Sequence, residues 1–133
     1  MSLLLLLFAV FLHVVGDFYL QNSSMSSFKS QSYWKSQYPN DRRQYYFIGG
    51  LILHSFVWSF LVVLPEIVYM ILHSNQIRYV DSIILTTIVI VNTVIHAILD
   101  HIKTNMGKIG TIQDQLLHLG QITLTYIIAT IIF

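Results

Sequence analysis

Residues 80–100, VDSIILTTIVIVNTVIHAILD, decide how this chain is read. The run is rich in Ile, Val and Leu, holds no Gly or Pro, and is close to the ~20 residues that an α-helix needs to cross the hydrocarbon core of a bilayer. It ends in His96 and Asp100, four residues apart and therefore one turn apart on a single helix face. Such a segment offers lipid an apolar surface and carries ionisable chemistry at one end. The same H-x3-D spacing recurs at His13 and Asp17, and its mirror image at Asp114 and His118. A lone His54 sits inside a fourth apolar stretch.

The composition agrees with a membrane setting. Of 133 residues, 55% are hydrophobic and 10% charged, against about 25% charged in a soluble domain; the mean hydropathy is +0.66. The absence of cysteine excludes disulfides, thiolate zinc sites, iron–sulfur clusters and a cysteine nucleophile. No Gly-rich phosphate loop and no basic stripe with interleaved aromatics is present, so nucleic acid is not an expected partner. The first apolar run has no basic leader and no small-residue cleavage site, and is read as a retained helix rather than a signal peptide.

The expected fold is all-α, a single transmembrane domain of four helices at about 2–20, 46–72, 80–99 and 116–133. Pro65 is expected to kink or end the second helix, and Gly49-Gly50 to admit a close neighbour. The linkers are polar. The long one, 22–44, holds Lys29, Lys35, Arg42 and Arg43 and a Pro39-Asn40-Asp41 turn. The linker 73–79 holds Arg78 alone, and the third carries Lys103 and Lys108. Six basic residues against one place the first and third linkers in the cytoplasm and both termini outside, in a bacterial inner membrane. His13/Asp17, His96/Asp100 and Asp114/His118 then share the cytoplasmic half of the bilayer. His54 lies about eight residues, or roughly 12 Å, into its helix from that side.

Ionisable groups at bilayer depth cost about 2.5–3.5 kcal/mol each on insertion scales and are rarely left unpaired. Imidazole and carboxylate suit Zn, Mn, Fe or Ni, and i, i+4 spacing lets two side chains share one ion. The candidate ligands are His13, Asp17, His54, His96, Asp100, Asp114 and His118, with zinc the first choice of divalent metal. Seven exceed the three or four needed for one catalytic zinc, so two ions, or one ion with aspartates orienting the imidazoles, both fit. Asp17, Asp100 or Asp114 could also take a proton from water. Gln21, Lys103 and Gln115 neighbour the motifs as supporting or substrate-binding groups. A histidine–aspartate pair at a helix end can instead be purely structural. That reading is preferred for His73 and His101 as loop or interface residues, for Glu66 and Asp81 near the outer side, and for Asn92 as an interhelical hydrogen-bond partner. Trp34 and the nearby tyrosines read as interfacial anchors.

His13-Val14-Val15-Gly16-Asp17-Phe18-Tyr19-Leu20-Gln21, then His54, then His96-Ala97-Ile98-Leu99-Asp100-His101-Ile102-Lys103, then Asp114-Gln115-Leu116-Leu117-His118, resembles a family of small bacterial and phage membrane proteins of unknown function. Its pattern is H-x3-D-F-x-L-Q … K … H … H-x3-D-x2-K … D-Q-x2-H. The resemblance covers nearly the whole chain, and Lys29 matches the lysine after the first motif with looser spacing. A more distant likeness is to bacterial inner-membrane metal-dependent hydrolases, an analogy of fold that does not carry function by itself.

The expected function is therefore metal-dependent hydrolysis of a lipid or other amphipathic substrate, with membrane lipids as partners and an oligomer compatible with the sequence. A metal-ion or proton transporter would use the same ligands and a second polar cluster toward the outer side, for which Glu66, His73 and Asp81 are the candidates. A haem protein would use the histidines as axial ligands but gives no reason for the paired aspartates. A small phage-type membrane interaction protein needs no buried ligands. No serine stands out as a nucleophile.

Overall fold

A computed structural model describes residues 3–73 and 78–133. Ser2, the expected start of the first helix, and most of the 73–79 linker lie outside the described residues. Among those described the chain is all helical: α1 (Leu3–Val14) running on into a π-helical turn (Val15–Tyr19), α2 (Ser23–Phe28), α3 (Gln31–Gln37), a 3-10 turn (Arg42–Tyr45), α4 (Tyr46–His73), α5 (Tyr79–Thr104) and α6 (Thr111–Ile132). Three helices, the one that ends at His73 together with α5 and α6, are long and apolar enough to cross a membrane. The first segment, Leu3–Tyr19, is apolar but shorter.

Helix α4 is the hub, packing against α1, α2, α3, α5 and α6. Pro65 neither ends nor interrupts it, because a proline costs its helix one i→i−4 hydrogen bond and the packed neighbours hold the rest in register. Trp58, fully buried at its centre, joins Ala9, Val62, Val63, Met70, Leu85 and Ile122 in the apolar core. Elsewhere the usual partition is inverted. Buried polar and charged side chains outnumber buried apolar ones, while Leu4, Phe8, Phe11, Phe56, Phe60, Ile90, Val94, Leu116 and Leu124 face outward. A water-soluble monomer does not expose so continuous an apolar surface.

The 22–44 linker is not an open loop. Asn22 caps α2 by accepting from the Met25 N–H (2.9 Å), and Ser30 caps α3 through the Tyr33 N–H (3.3 Å). The expected turn is present, with Asn40 at φ 62°, where asparagine is tolerated, and Asp41 capping the 3-10 turn. Trp34 anchors the segment, donating from Nε1 to the Phe28 carbonyl (2.7 Å) and packing against Phe28, Tyr33, Tyr38 and Tyr46. Gly50 is the contact point on α4. A Cβ there would lie 2.6 Å from the Phe28 carbonyl oxygen, whereas one at Gly49 would meet nothing within 4 Å. The close approach expected of the glycine pair thus belongs to Gly50 alone, and the partner is linker backbone rather than a spanning helix. From the other side Asn105, just past α5, accepts from the Gln31 N–H (2.7 Å) and donates to the Lys29 carbonyl (3.2 Å). Lys29 is held between these clasps.

Candidate metal centre

Four elements deliver polar side chains to one buried place at the linker end of the bundle. The π turn supplies Asp17: the Leu20 N–H reaches back five residues to the Val15 carbonyl (2.9 Å), a widening that is frequent at functional sites. Gly16 lets this turn press on Trp58, since a Cβ would stand 3.2 Å from the indole Cδ1. Helix α4 supplies His54, α5 supplies His96 and Asp100, and α6 supplies Asp114 and His118. Both i, i+4 pairs face inward, and these five side chains are buried.

The three imidazoles turn Nε2 toward carboxylate oxygens. His54 Nε2 is 3.4 Å from Asp17 Oδ1 and 3.5 Å from Asp100 Oδ2. His96 Nε2 is 3.8 Å from the same two oxygens. His118 Nε2 is 3.3 Å from Asp114 Oδ1 and 4.0 Å from Asp17 Oδ2. None of these three nitrogens, nor Asp17 Oδ1 or Asp114 Oδ1, has a hydrogen-bond partner among the described residues. Orphaned buried polar atoms are costly, and five of them converge. Donor atoms at about 2.0–2.1 Å from a tetrahedral ion stand about 3.3–3.4 Å apart, close to the shorter spacings here. Three overlapping groups could hold a metal ion: Asp17/His96/His118, His54/His96/Asp100 and Asp100/Asp114/His118. The rings of His96 and His118 stack at 4.2 Å, and Trp58 packs against both, 4.1 Å from His96 and 5.5 Å from His118. The Nδ1 atoms of His96 and His118 also lack partners among the described residues.

His13 reaches the same place in a different role. Its Nδ1 accepts from Trp58 Nε1–H (2.9 Å), so the ring proton is on Nε2, which donates to Gln115 Oε1 (3.1 Å). That orients the Gln115 amide, whose NH2 donates to Asp114 Oδ2 (3.1 Å) and more weakly to Asp17 Oδ2 (3.4 Å). Both nitrogens of His13 are engaged, and it belongs to none of the three groups.

Two lysines complete the electrostatics. Lys29 is buried and donates to Asp100 Oδ2 (2.5 Å) and Gln21 Oε1 (2.9 Å). Lys103 donates to Asp114 Oδ2 (2.6 Å) and stays partly exposed. Neither Trp58 nor Lys29 is among the ligands and supporting groups that the sequence motifs point to. Trp58 carried one signal, a tryptophan in mid-span one turn beyond His54. Lys29 carried only its place in the motif.

The remaining polar residues lie elsewhere. Asn92 accepts at Oδ1 from Gln121 (2.8 Å) and Thr125 (3.0 Å), joining α5 to α6. His101 lies in the last turn of α5 and stacks on Phe47 of α4, in the interface between the two helices. Glu66 and Asp81 are buried rather than solvated; Asp81 pairs with Arg78 (2.7 Å). His73 bonds the Tyr69 carbonyl (2.9 Å). Among the described residues no group able to share an ion forms from Glu66, His73 and Asp81.

Fold and site together define a helical bundle with an apolar exterior and a buried histidine–aspartate cluster that could bind metal. The chain belongs to DUF3307, a family of proteins of unknown function, whose family model matches residues 3–133. No curated protein and no solved structure matches it.

Proposed function

We propose that this protein is a four-span membrane hydrolase whose divalent metal, zinc as the first choice, is held near the cytoplasmic face by His54, His96 and His118 through Nε2 together with Asp100 and Asp114. The observation that carries this is the convergence of three buried Nε2 atoms, without other partners, on carboxylate oxygens at 3.3–4.0 Å. Placing both basic linkers in the cytoplasm sets the orientation, with the termini outside.

When bound, the ion supplies a Lewis acid that polarises the scissile group and acidifies water. The chain's own residues do the rest. Asp17 is the one carboxylate of the three that no lysine contacts, which leaves it available to take the proton of the attacking water. His13 and Gln115 are positioning residues that fix Asp114 and Asp17. Trp58 closes the site from the apolar core. A groove of about 560 Å³ between α4 and α5, lined by Phe47, Leu51, Ile52, Val94, Ile98 and His101, is suited to an acyl chain at the depth of the site and supports an amphipathic substrate. A haem reading is not favoured, because His96 and His118 stack face to face at 4.2 Å with no space for a porphyrin between them.

The test is the metal content of detergent-purified protein by elemental mass spectrometry, beside His96→Ala and His118→Ala. Stoichiometric metal in the parent and none in either variant is the expected outcome. Equal metal in all three, or none in the parent after loading, would remove the proposal.

A further inference from the structure

The metal reading accounts for the imidazoles and carboxylates but not for two lysines placed on the same carboxylates. Lys29 is buried with both its contacts inside the protein, and Lys103 bridges from the end of α5 to the first turn of α6. Three carboxylates, Asp17, Asp100 and Asp114, against two ammonium groups leave one net negative charge in the cluster. A divalent cation turns that into one net positive charge, in a place where uncompensated charge is expensive. If the lysines served only to neutralise aspartates, they would work against the ion, since each cation already present weakens the attraction for another. They fit a site that must hold a metal and an anion together.

From this juxtaposition of Lys29, Lys103 and the His/Asp cluster we infer that the substrate is a phosphate ester, bound with its phosphoryl oxygens between the metal and the two ammonium groups. This rests on the metal reading above and names its substrate class. A neutral carboxylic ester or amide leaves the positive charge uncompensated, whereas a phosphodiester monoanion cancels it. Position agrees: Asp114 lies in the first turn of α6 and Asp100 one turn from the end of α5, near the helix ends, where lipid phosphates lie. The first turn of α6 also presents the positive end of a helix dipole to that side. Lys103, partly exposed, meets the phosphate on entry; Lys29, enclosed by the linker, backs the site. In the reaction a P–O bond forms from water and the P–O bond to the alcohol breaks. The water's proton passes to Asp17 and is returned to the departing alcohol oxygen.

The experiment is calorimetric titration of zinc-loaded protein with inorganic phosphate, with dihexanoyl phosphatidic acid and with dihexanoylglycerol. Metal content is measured on every sample, and Lys103→Met and Lys29→Met are run alongside. Both phosphate compounds are expected to bind, and the diacylglycerol not. Lys103→Met should weaken phosphate binding about tenfold or more while retaining metal at least as well as the parent, because a competing cation is gone. A lysine of merely structural value would lower both together. Phosphatidic acid binding well above inorganic phosphate identifies a lipid headgroup as the source, and equal binding a free phosphate compound. A metal-loaded parent that binds neither, or a Lys103→Met variant that binds phosphate as the parent does, overturns this inference and leaves the metal centre standing. A parent without metal removes the reading beneath it. Lys103 is partly exposed, so its variant decides the matter even where Lys29→Met fails to fold.

Discussion

Lys29 and Asp100 are 71 residues apart in the chain, yet Lys29 Nζ stands 2.5 Å from Asp100 Oδ2 with both side chains buried. The lysine comes from a polar linker and the aspartate from a membrane-type helix, so this contact ties the linker to the bundle. Removing one partner of a buried pair leaves the other charge uncompensated, at about 3–5 kcal/mol. Lys29→Met should therefore lower the thermal stability of metal-free protein sharply, and the double variant Lys29→Met/Asp100→Asn should recover much of the loss. Thermal unfolding in detergent checks this. Equal losses in the single and double variants would show that Lys29 acts by packing alone.

The linker seat depends on Gly50. A methyl group there would stand 2.6 Å from the Phe28 carbonyl oxygen, which Trp34 also binds, so the backbone must move away and carry Lys29 with it. Gly50→Ala is expected to destabilise the protein and to raise proteolytic cleavage within residues 22–44. Gly49→Ala, which meets nothing within 4 Å, should be neutral or stabilising by up to about 1 kcal/mol, as alanine for glycine in a helix usually is. Limited proteolysis of the two variants side by side separates the positions.

How much of this was legible in the sequence follows from what each feature depends on. The three long apolar helices were legible because lipid demands an apolar run of fixed length, whereas the first expected span is a shorter apolar helix; α4 begins at Tyr46 as expected, and Pro65 passes through it. The linker was not, since short capped helices such as α2 and α3 are held by Trp34, Gly50 and Asn105 rather than by their own periodicity. The i, i+4 spacing at His96/Asp100 and Asp114/His118 placed each pair on one face. It could not distinguish a free imidazole from one whose nitrogens are both engaged, so His13 and His96 looked alike. The difference is Trp58, 45 residues from His13, and no local pattern carries such a contact.

Asn92, Gln121 and Thr125 form a second polar layer beyond the cluster, joining α5 to α6. Gln121 Nε2 reaches both the Asn92 carbonyl (2.9 Å) and its Oδ1 (2.8 Å). Interhelical hydrogen bonds of this kind in membranes average about 0.6 kcal/mol by double-mutant cycles. Gln121→Leu should accordingly cost about 1 kcal/mol, leaving metal content unchanged. Unfolding of the variant with its metal assay tests whether this layer is structural; loss of metal would join it to the site.

His13 and His96 give the sharpest contrast. Both are buried, but His96 turns an unpartnered Nε2 into the cluster, while His13 spends one nitrogen on Trp58 and the other on Gln115. His96→Ala should abolish metal binding. His13→Ala should leave the ligands in place but free the Gln115 amide to rotate, loosening Asp114 and Asp17. Losing such a supporting contact typically lowers metal affinity 10–100-fold. Trp58→Phe, which keeps a ring but removes the N–H that fixes the His13 tautomer, should shift affinity in the same direction by less. Competition with a chelator of known affinity orders the series: parent tightest, then Trp58→Phe, then His13→Ala, with His96→Ala without metal. A His13→Ala variant as metal-free as His96→Ala would make His13 a ligand and the tautomer assignment wrong.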